Sequence, residues 1–383
     1  MTKSISLTFA AVGCGGRLRS VMKNLFKELG CSVTVRVYDP DPGSLSSAEK
    51  EWPVKVIPCS SWKETLDSQE VEWAFVGSWN CFHMEHVIAA FQAGKNVFAE
   101  KPLATTLEDC LAIRETWKKS GKTFFFGLVL RYSKFYQSIF TQSRREKIGK
   151  LISFEFNETL GFNHGGYIHG NWRRFRKNAG THLLEKCCHD IDIAQWMAGS
   201  LPARVASFGG LNFFRPENRD WASTLGPQAY HAWPDPHGVN PFSGDQDIVD
   251  NQVAILEFAN GVRATFHTNC NAGIPERRLY LLGAKGAVRA DAVTGEWSMQ
   301  KIGFETSLEK SNLDIRDGHA GGDEVMAHNL AETILKGRPP QAGMEEALRS
   351  AVICFGLDQA LDEKRVIDLN PLWKKVGISP ETE

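Results

Sequence analysis

The amino-acid sequence predicts an α/β protein in two parts: an N-terminal doubly wound parallel sheet, then an α+β domain with an open, largely antiparallel sheet. Over the first 128 residues, apolar runs alternate with amphipathic stretches, the pattern of buried strands and the helices that cover them. From Ile152 onward, strands follow one another with few long helices between them, and Asn260-Gly261 between two of them is a hairpin signal. A length of 383 residues also exceeds what one core supports.

In the first part, strands are expected at 5–12, 33–38, 73–76, 97–99 and 123–128. Val21, Leu25, Phe26 and Leu29 mark one helical face among them, and Val87, Ile88 and Phe91 mark another. In the second part, strands are expected at 152–156, 204–213, 252–258, 262–269, 278–282 and 287–290. Ala327, Leu330, Ala331, Ile334 and Leu335 recur at helical spacing until Gly337-Arg338-Pro339-Pro340 stops that helix. A last helix carries Ala347, Leu348, Ala351, Val352 and Phe355. These patterns place the domain boundaries at 1–128 and 129–383, with the C-terminal helices packing back toward the N-terminal domain.

Composition narrows the function classes. Apolar residues make up 42% and charged residues 23%, ordinary for a globular protein. A net charge of −1 leaves no electrostatic footprint for nucleic acid or anionic membrane. No apolar run reaches the roughly 20 residues that span a bilayer. The run from Leu7 to Val12 leads into a glycine turn, so it reads as a first strand, not a signal peptide. Nine cysteines without a C-x-x-C pair fit free thiols in a reducing cytoplasm. The stretch 215–247, with five prolines and with Trp221, Tyr230, His231, Trp233 and His237, is expected to be an ordered lid or an oligomer contact.

Gly13-Cys14-Gly15-Gly16-Arg17-Leu18 follows the first strand and opens the first helix. The first glycine permits a tight turn, the second lets a pyrophosphate approach the backbone, and the helix N-terminus offers unpaired N–H groups. Leu18 stands where a third glycine would allow close helix–strand packing. Asp39 ends the second strand about 24 residues after Gly15, where a carboxylate accepts from ribose hydroxyls and repels a 2′-phosphate. No lysine or arginine follows in Asp39-Pro40-Asp41-Pro42, so NAD is expected in preference to NADP. The less favoured reading of Asp39 is a turn former before Pro40. Downstream, Gly94-Lys95-Asn96-Val97-Phe98-Ala99-Glu100-Lys101-Pro102 reads as a short buried strand that presents a lysine ahead of a proline.

These residues resemble the family of glucose-fructose oxidoreductase, inositol dehydrogenase and the MocA proteins. The likeness covers nearly the whole chain and rests on five elements. They are Gly13-x-Gly15-Gly16-Arg17, Ser78-Trp79-Asn80-Cys81-Phe82-His83, Glu100-Lys101-Pro102, Trp172-Arg173 and the block around His189. The resemblance implies a Rossmann domain that binds NAD, then a domain that binds substrate and forms homodimers or homotetramers through its sheet. Members mostly oxidise or reduce a hydroxyl carbon of a sugar, cyclitol or glycoside. Lys101 matches the lysine that touches both substrate hydroxyl and nicotinamide ribose, and His189 the histidine that takes the hydroxyl proton. Glu185 stands where many members have aspartate, and Asp192 matches an acidic residue three after the histidine. Ser78, Trp79, Asn80 and His83 match the loop beside the nicotinamide half of the cofactor, and Glu100 the residue before the lysine.

Residue chemistry agrees with that assignment. Removing hydride from an alcohol carbon leaves a hydroxyl that must lose its proton, and histidine, with an unperturbed pKa of about 6.5, suits that task. If 184–196 is a helix, Glu185, His189 and Asp192 share a face, and either carboxylate can orient the imidazole. Lys101 would stabilise negative charge on the substrate oxygen. Trp172, Arg173, Tyr167, His182 and Asp192 are candidates for a pocket that packs a sugar's C–H face and satisfies its hydroxyls. Trp172 also fits interface packing, and Arg173 a structural ion pair. His319 and Asp323 flank Ala320-Gly321-Gly322, a loop able to reach the site. Cys187-Cys188-His189 lacks a second pair at ligand spacing, so no metal is expected. Two other activities fit the same residues: cleavage of a glycoside through transient oxidation by held NAD, and nucleotide sensing without turnover.

Overall fold

The computed structural model describes residues 6–231, 238–315 and 319–380. Trp233 and His237 of the 215–247 stretch lie outside the described residues. The chain divides into two compact units, Met1–Ser133 with Gly322–Leu348, and Lys134–Gly321 with Arg349–Glu383.

The first unit is built on six parallel strands: β1 (Ser6–Val12), β2 (Ser32–Tyr38), β3 (Lys55–Pro58), β4 (Val71–Val76), β5 (Asn96–Ala99) and β6 (Phe124–Phe126). Their order is β3-β2-β1-β4-β5-β6, so the connections reverse direction between β1 and β4. In open sheets of this kind ligands bind outside the carboxyl ends of the strands at that reversal. Five of these strands fall on expected runs, while β3 is a short edge strand of half-exposed residues ending in Pro58. The expected strand at 123–128 ends at Phe126, because Gly127 turns to donate its N–H to Ala99 O at 2.9 Å. The helix Gly16–Leu29 buries Val21, Leu25, Phe26 and Leu29, as its spacing requires. The helix Gly322–Lys336 packs along it, and Gly337 at φ +67° ends that helix. Thr333 is buried there while Leu335 is exposed, so the buried face is rotated from the expected one.

The second unit carries β7 (Leu151–Gly161), β8 (Pro202–Gly210), β9 (Asn251–Phe258), β10 (Arg263–Ala272), β11 (Arg278–Gly283), β12 (Gly286–Asp291), β13 (Glu296–Lys301), β14 (Glu309–Asn312) and β15 (Ile367–Asp368). They form one sheet in the order β14-β13-β12-β11-β7-β10-β9-β8-β15, antiparallel except for the β7–β10 pair. Gly261, at φ +85°, makes the β9–β10 hairpin at the predicted Asn-Gly. The expected strand at 204–213 stops at Gly210. Its physical cause is distant in sequence: the buried Asp250 carboxylate accepts the N–H groups of Asn212, Phe213 and Phe214 at 3.0, 2.6 and 2.9 Å, curling the chain out of the sheet. The described part of 215–247 packs Tyr230 and Phe242 against Leu160, Ile168, Phe214 and Cys270.

Candidate functional site

In the first unit the candidate residues converge on the carboxyl ends of β1, β2, β4 and β5. Gly13 takes φ +80°, and a Cβ there would lie 2.6 Å from Ser78 N, so both conformation and packing demand glycine. At Gly15 and Gly16 a Cβ would meet nothing within 4 Å. Neighbouring protein therefore does not impose those two glycines, which leave open space above the turn. The helix Gly16–Leu29 has no side-chain N-cap and no acidic residue in its first turn. Uncapped N–H groups beside open space fit a pyrophosphate. Burial and the Asp39 carboxylate push the Cys14 thiol up, so it adds no negative charge to the turn.

Asp39 ties that turn to β2. Its Oδ2 accepts Cys14 N at 2.7 Å and its Oδ1 accepts Asp41 N at 2.9 Å, the second bond being an Asx turn across Pro40. Asp39 thus fills the turn-forming role, and each oxygen, an acceptor of two bonds, retains capacity for a ribose hydroxyl. Asp41, by contrast, caps the helix Pro42–Glu51.

Leu18 raises a packing problem that the fold solves elsewhere. A side chain at the third fingerprint position pushes the helix away from the sheet unless room is made. Gly77, immediately after β4, makes it: a Cβ on Gly77 would lie 2.7 Å from Leu18 Cβ. Nothing local to Gly77 signals this pairing, because its partner lies far away in sequence. Gly77→Ala is expected to cost about 1–3 kcal/mol through overpacking. Combined with Leu18→Gly, which removes the Cβ that an alanine at position 77 would meet, it should cost less than the sum of the two single variants in urea unfolding, and strict additivity would show the pair is independent.

Arg17 links three elements. Its Nε donates to Glu100 Oε1 at 3.0 Å and its Nη1 to Asp323 Oδ1 at 2.5 Å, joining the glycine turn, the end of β5 and the first turn of the helix Gly322–Lys336. Asp323, next to the loop able to reach the site, is thus tied to the glycine turn. Glu100 is buried, and its Oε2 accepts Lys101 N at 3.3 Å. The Lys101–Pro102 peptide is cis. His83, on the helix His83–Gln92, lies between Pro102 O at 2.7 Å and Ser78 O at 3.1 Å, while His86 Nδ1 meets Ser78 Oγ at 2.9 Å. Burial pushes His86 down to about 4, so it is neutral and uncharged beside the loop. Asn80 is buried and Trp79 half-buried at the start of the same segment.

In the second unit, Glu185 lies in a wide π-helical turn, Leu183–Cys187, that runs into the buried helix Cys188–Ala198. The continuous α-helix expected over 184–196 is thus interrupted before His189. Wide turns of this kind recur at functional sites. Arg173 donates from Nε to Glu185 Oε1 at 2.9 Å and from Nη1 to Tyr167 OH at 2.9 Å. Its guanidinium lies 4.3 Å from the Trp172 ring centroid and 5.0 Å from that of Tyr167. The His189 ring is 6.1 Å from that of His319. Asp192 Oδ1 accepts Gln195 Nε2 at 2.9 Å. His182 is buried with Nε2 3.1 Å from Thr268 Oγ1, and burial pushes it down to about 4, so it is a neutral imidazole. Cys270 Sγ is 3.8 and 3.7 Å from its two ring nitrogens. Among the described residues, Glu158, Cys187 and Asp190 bring donor atoms within 4.8 Å of one another, but Lys186 and Arg277 already pair with those carboxylates.

Comparisons with known proteins show the family and the fold. Residues 7–128 match the NAD-binding Rossmann fold of an oxidoreductase family, and residues 144–369 match its C-terminal alpha/beta domain. The 2,7-anhydro-N-acetylneuraminate hydratase of Escherichia coli (strain K12) is 26% identical over 270 residues, 70% of this chain and 63% of that one. By fold, the chain is similar to levoglucosan dehydrogenase in complex with NADH and levoglucosan, at a TM-score of 0.76 and 16% identity over 96% of this chain and 100% of that one. It is also similar to myo-inositol 2-dehydrogenase from Lactobacillus plantarum, at 0.73 and 19% over 95% and 99%. Among the described residues, no helix is long and apolar enough to cross a membrane. Both parts of one family are matched in order, and the open glycine cradle fits the dinucleotide that family binds: the chain belongs to the Gfo/Idh/MocA oxidoreductases and is an NAD(P)-dependent dehydrogenase.

Proposed function

We propose that this enzyme interconverts a secondary hydroxyl and a carbonyl on a sugar, cyclitol or glycoside, with Lys101 and His189 acting on the same substrate oxygen. When bound, NAD takes up or returns the hydride. Lys101 stabilises negative charge on the oxygen, and His189 takes or returns its proton. Glu185 completes the catalytic set, and Trp172, Arg173, His182, Glu185 and Asp192 contact substrate. Gly13, Gly15, Gly16, Arg17, Leu18, Asp39, Ser78, Trp79, Asn80, His83, Glu100 and Lys101 form the NAD site. The observation that carries the reading is the position of Lys101, next after Glu100, whose carboxylate is bonded to Arg17 of the pyrophosphate turn. The lysine is thereby held at the carboxyl end of β5, two strands from the reversal point.

A panel of hexoses, cyclitols and p-nitrophenyl glycosides offered with NAD tests this. NADH formed in proportion to substrate supports the dehydrogenase. Nitrophenol released without NADH supports transient oxidation, a reading favoured by the likeness to a hydratase. NADH binding without either product supports a sensor.

Residues 1–128 are proposed as the NAD domain and 129–383 as the substrate and oligomer domain. The open face of the second sheet supports that last role: Phe208, Val253 and Ile255 are 67%, 47% and 57% exposed, and Phe208 pairs directly with Val253. A homodimer or homotetramer covering this face is expected in light scattering. Replacing Asp39 with Ala is expected to narrow the preference for NAD over NADP by about tenfold or more, since it removes a carboxylate that repels the 2′-phosphate. An unchanged ratio of kcat/KM values for the two cofactors would show that the ribose is read elsewhere.

A further inference from the structure

His83 stands at the end of the loop that follows β4, yet its ring is buried to 1% exposure and both nitrogens face backbone carbonyls. Those carbonyls belong to two different loops at neighbouring strand ends: Ser78, just past β4, and Pro102, just past β5. We propose that His83 is a positioning residue for Lys101, fixing the Lys101–Pro102 turn through a hydrogen bond from Nδ1–H to Pro102 O. The inference rests on the assignment of Lys101 to the reacting centre.

The tautomer follows from the distances. A neutral imidazole donates from one nitrogen and presents a lone pair at the other. With the proton on Nε2, a lone pair would face Pro102 O at 2.7 Å, whereas with the proton on Nδ1 it faces Ser78 O at 3.1 Å. Repulsion between lone pairs grows steeply at short range, so the closer contact takes the proton. Burial holds the ring below its usual pKa, Lys101 adds to that, and Glu100 with the two carbonyls opposes it. His86, three residues on, holds the Ser78 hydroxyl, and Gly13 packs on the Gly77–Ser78 backbone. The loop on one side of His83 is therefore fixed by independent contacts. On the other side, among the described residues, the ring is what grips the carbonyl that follows Lys101.

Two near-isosteres separate the nitrogens. In Asn, the amide nitrogen falls where Nδ1 lies, and in Gln where Nε2 lies. By fluorescence titration and initial rates, His83→Gln is expected to lose about 10–100-fold in kcat and about tenfold in NADH affinity, and His83→Asn, which keeps the donor to Pro102 O, several-fold less in each. In nitrogen-15 spectra of the wild-type protein, the His83 signals, assigned by their loss in the variants, should show a protonated Nδ1 and a bare Nε2. An Nε2–H tautomer, or a Gln variant equal to or better than the Asn variant in NADH affinity, would overturn the proposal. The tautomer and the NADH titration decide it even if no sugar is turned over, in which case the activity reading alone fails. If either variant fails to fold, the wild-type tautomer still decides.

Discussion

His189→Ala is expected to lower kcat by about two to four orders of magnitude, the range that a positioned acid–base group supplies, with the NADH dissociation constant unchanged within about twofold. The separation follows from where the groups lie. Every residue assigned to the dinucleotide belongs to the unit containing Met1–Ser133, while His189 lies on the buried helix Cys188–Ala198 of the other. Loss of a proton acceptor removes stabilisation found only along the reaction path, so kcat and kcat/KM should fall together. Fluorescence titration with NADH checks the first half and initial rates the second. Parallel losses in affinity and turnover would make His189 a cofactor contact and leave the proton without its acceptor.

The parts of this protein legible in its sequence are those whose signal is local. β1 with its glycine turn, the apolar face of the helix Gly16–Leu29 and the Asn-Gly hairpin each depend on residues close in the chain. The strands without a clear sequence signal are edge or near-edge strands: β3, the two-residue β15, and the charged β13 and β14, most of whose residues are exposed or half-exposed. Two features of the site were hidden for another reason. Gly77 yields to Leu18, and Asp323 pairs with Arg17 from about 300 residues away, so each is defined by a partner that no sequence window contains. Asp250 ending β8 belongs to the same class. The interruption before His189 was also illegible, because a wide turn keeps helical composition while changing the hydrogen-bond step.

Removing Arg277 is expected to have the largest effect on stability. Its guanidinium binds both oxygens of Asp190 at 2.7 Å and reaches Glu158 at 3.3 Å, while Lys186 meets Glu158 at 3.0 Å. Two cations thus balance two carboxylates in a buried cluster that includes Asp190, the residue after His189 on the same helix. Arg277→Met leaves Asp190 buried without its cation, which should cost about 3–5 kcal/mol in urea unfolding. Removing both charges, in Arg277→Met with Asp190→Leu, keeps the Glu158–Lys186 pair and should recover more than half of that. The pH dependence distinguishes an unpaired charge from lost packing. Burial already pushes Asp190 up to about 7 against the pull of Arg277, with Glu158 adding to the rise. A carboxyl raised above its unfolded value of about 3.9 binds its proton more tightly when folded, so its contribution is full at low pH and is lost as pH rises to the folded pKa. Without Arg277 that pKa rises further. The deficit of the single variant should therefore shrink as pH falls from 8 to 5, and a deficit flat over this window would assign the loss to packing alone.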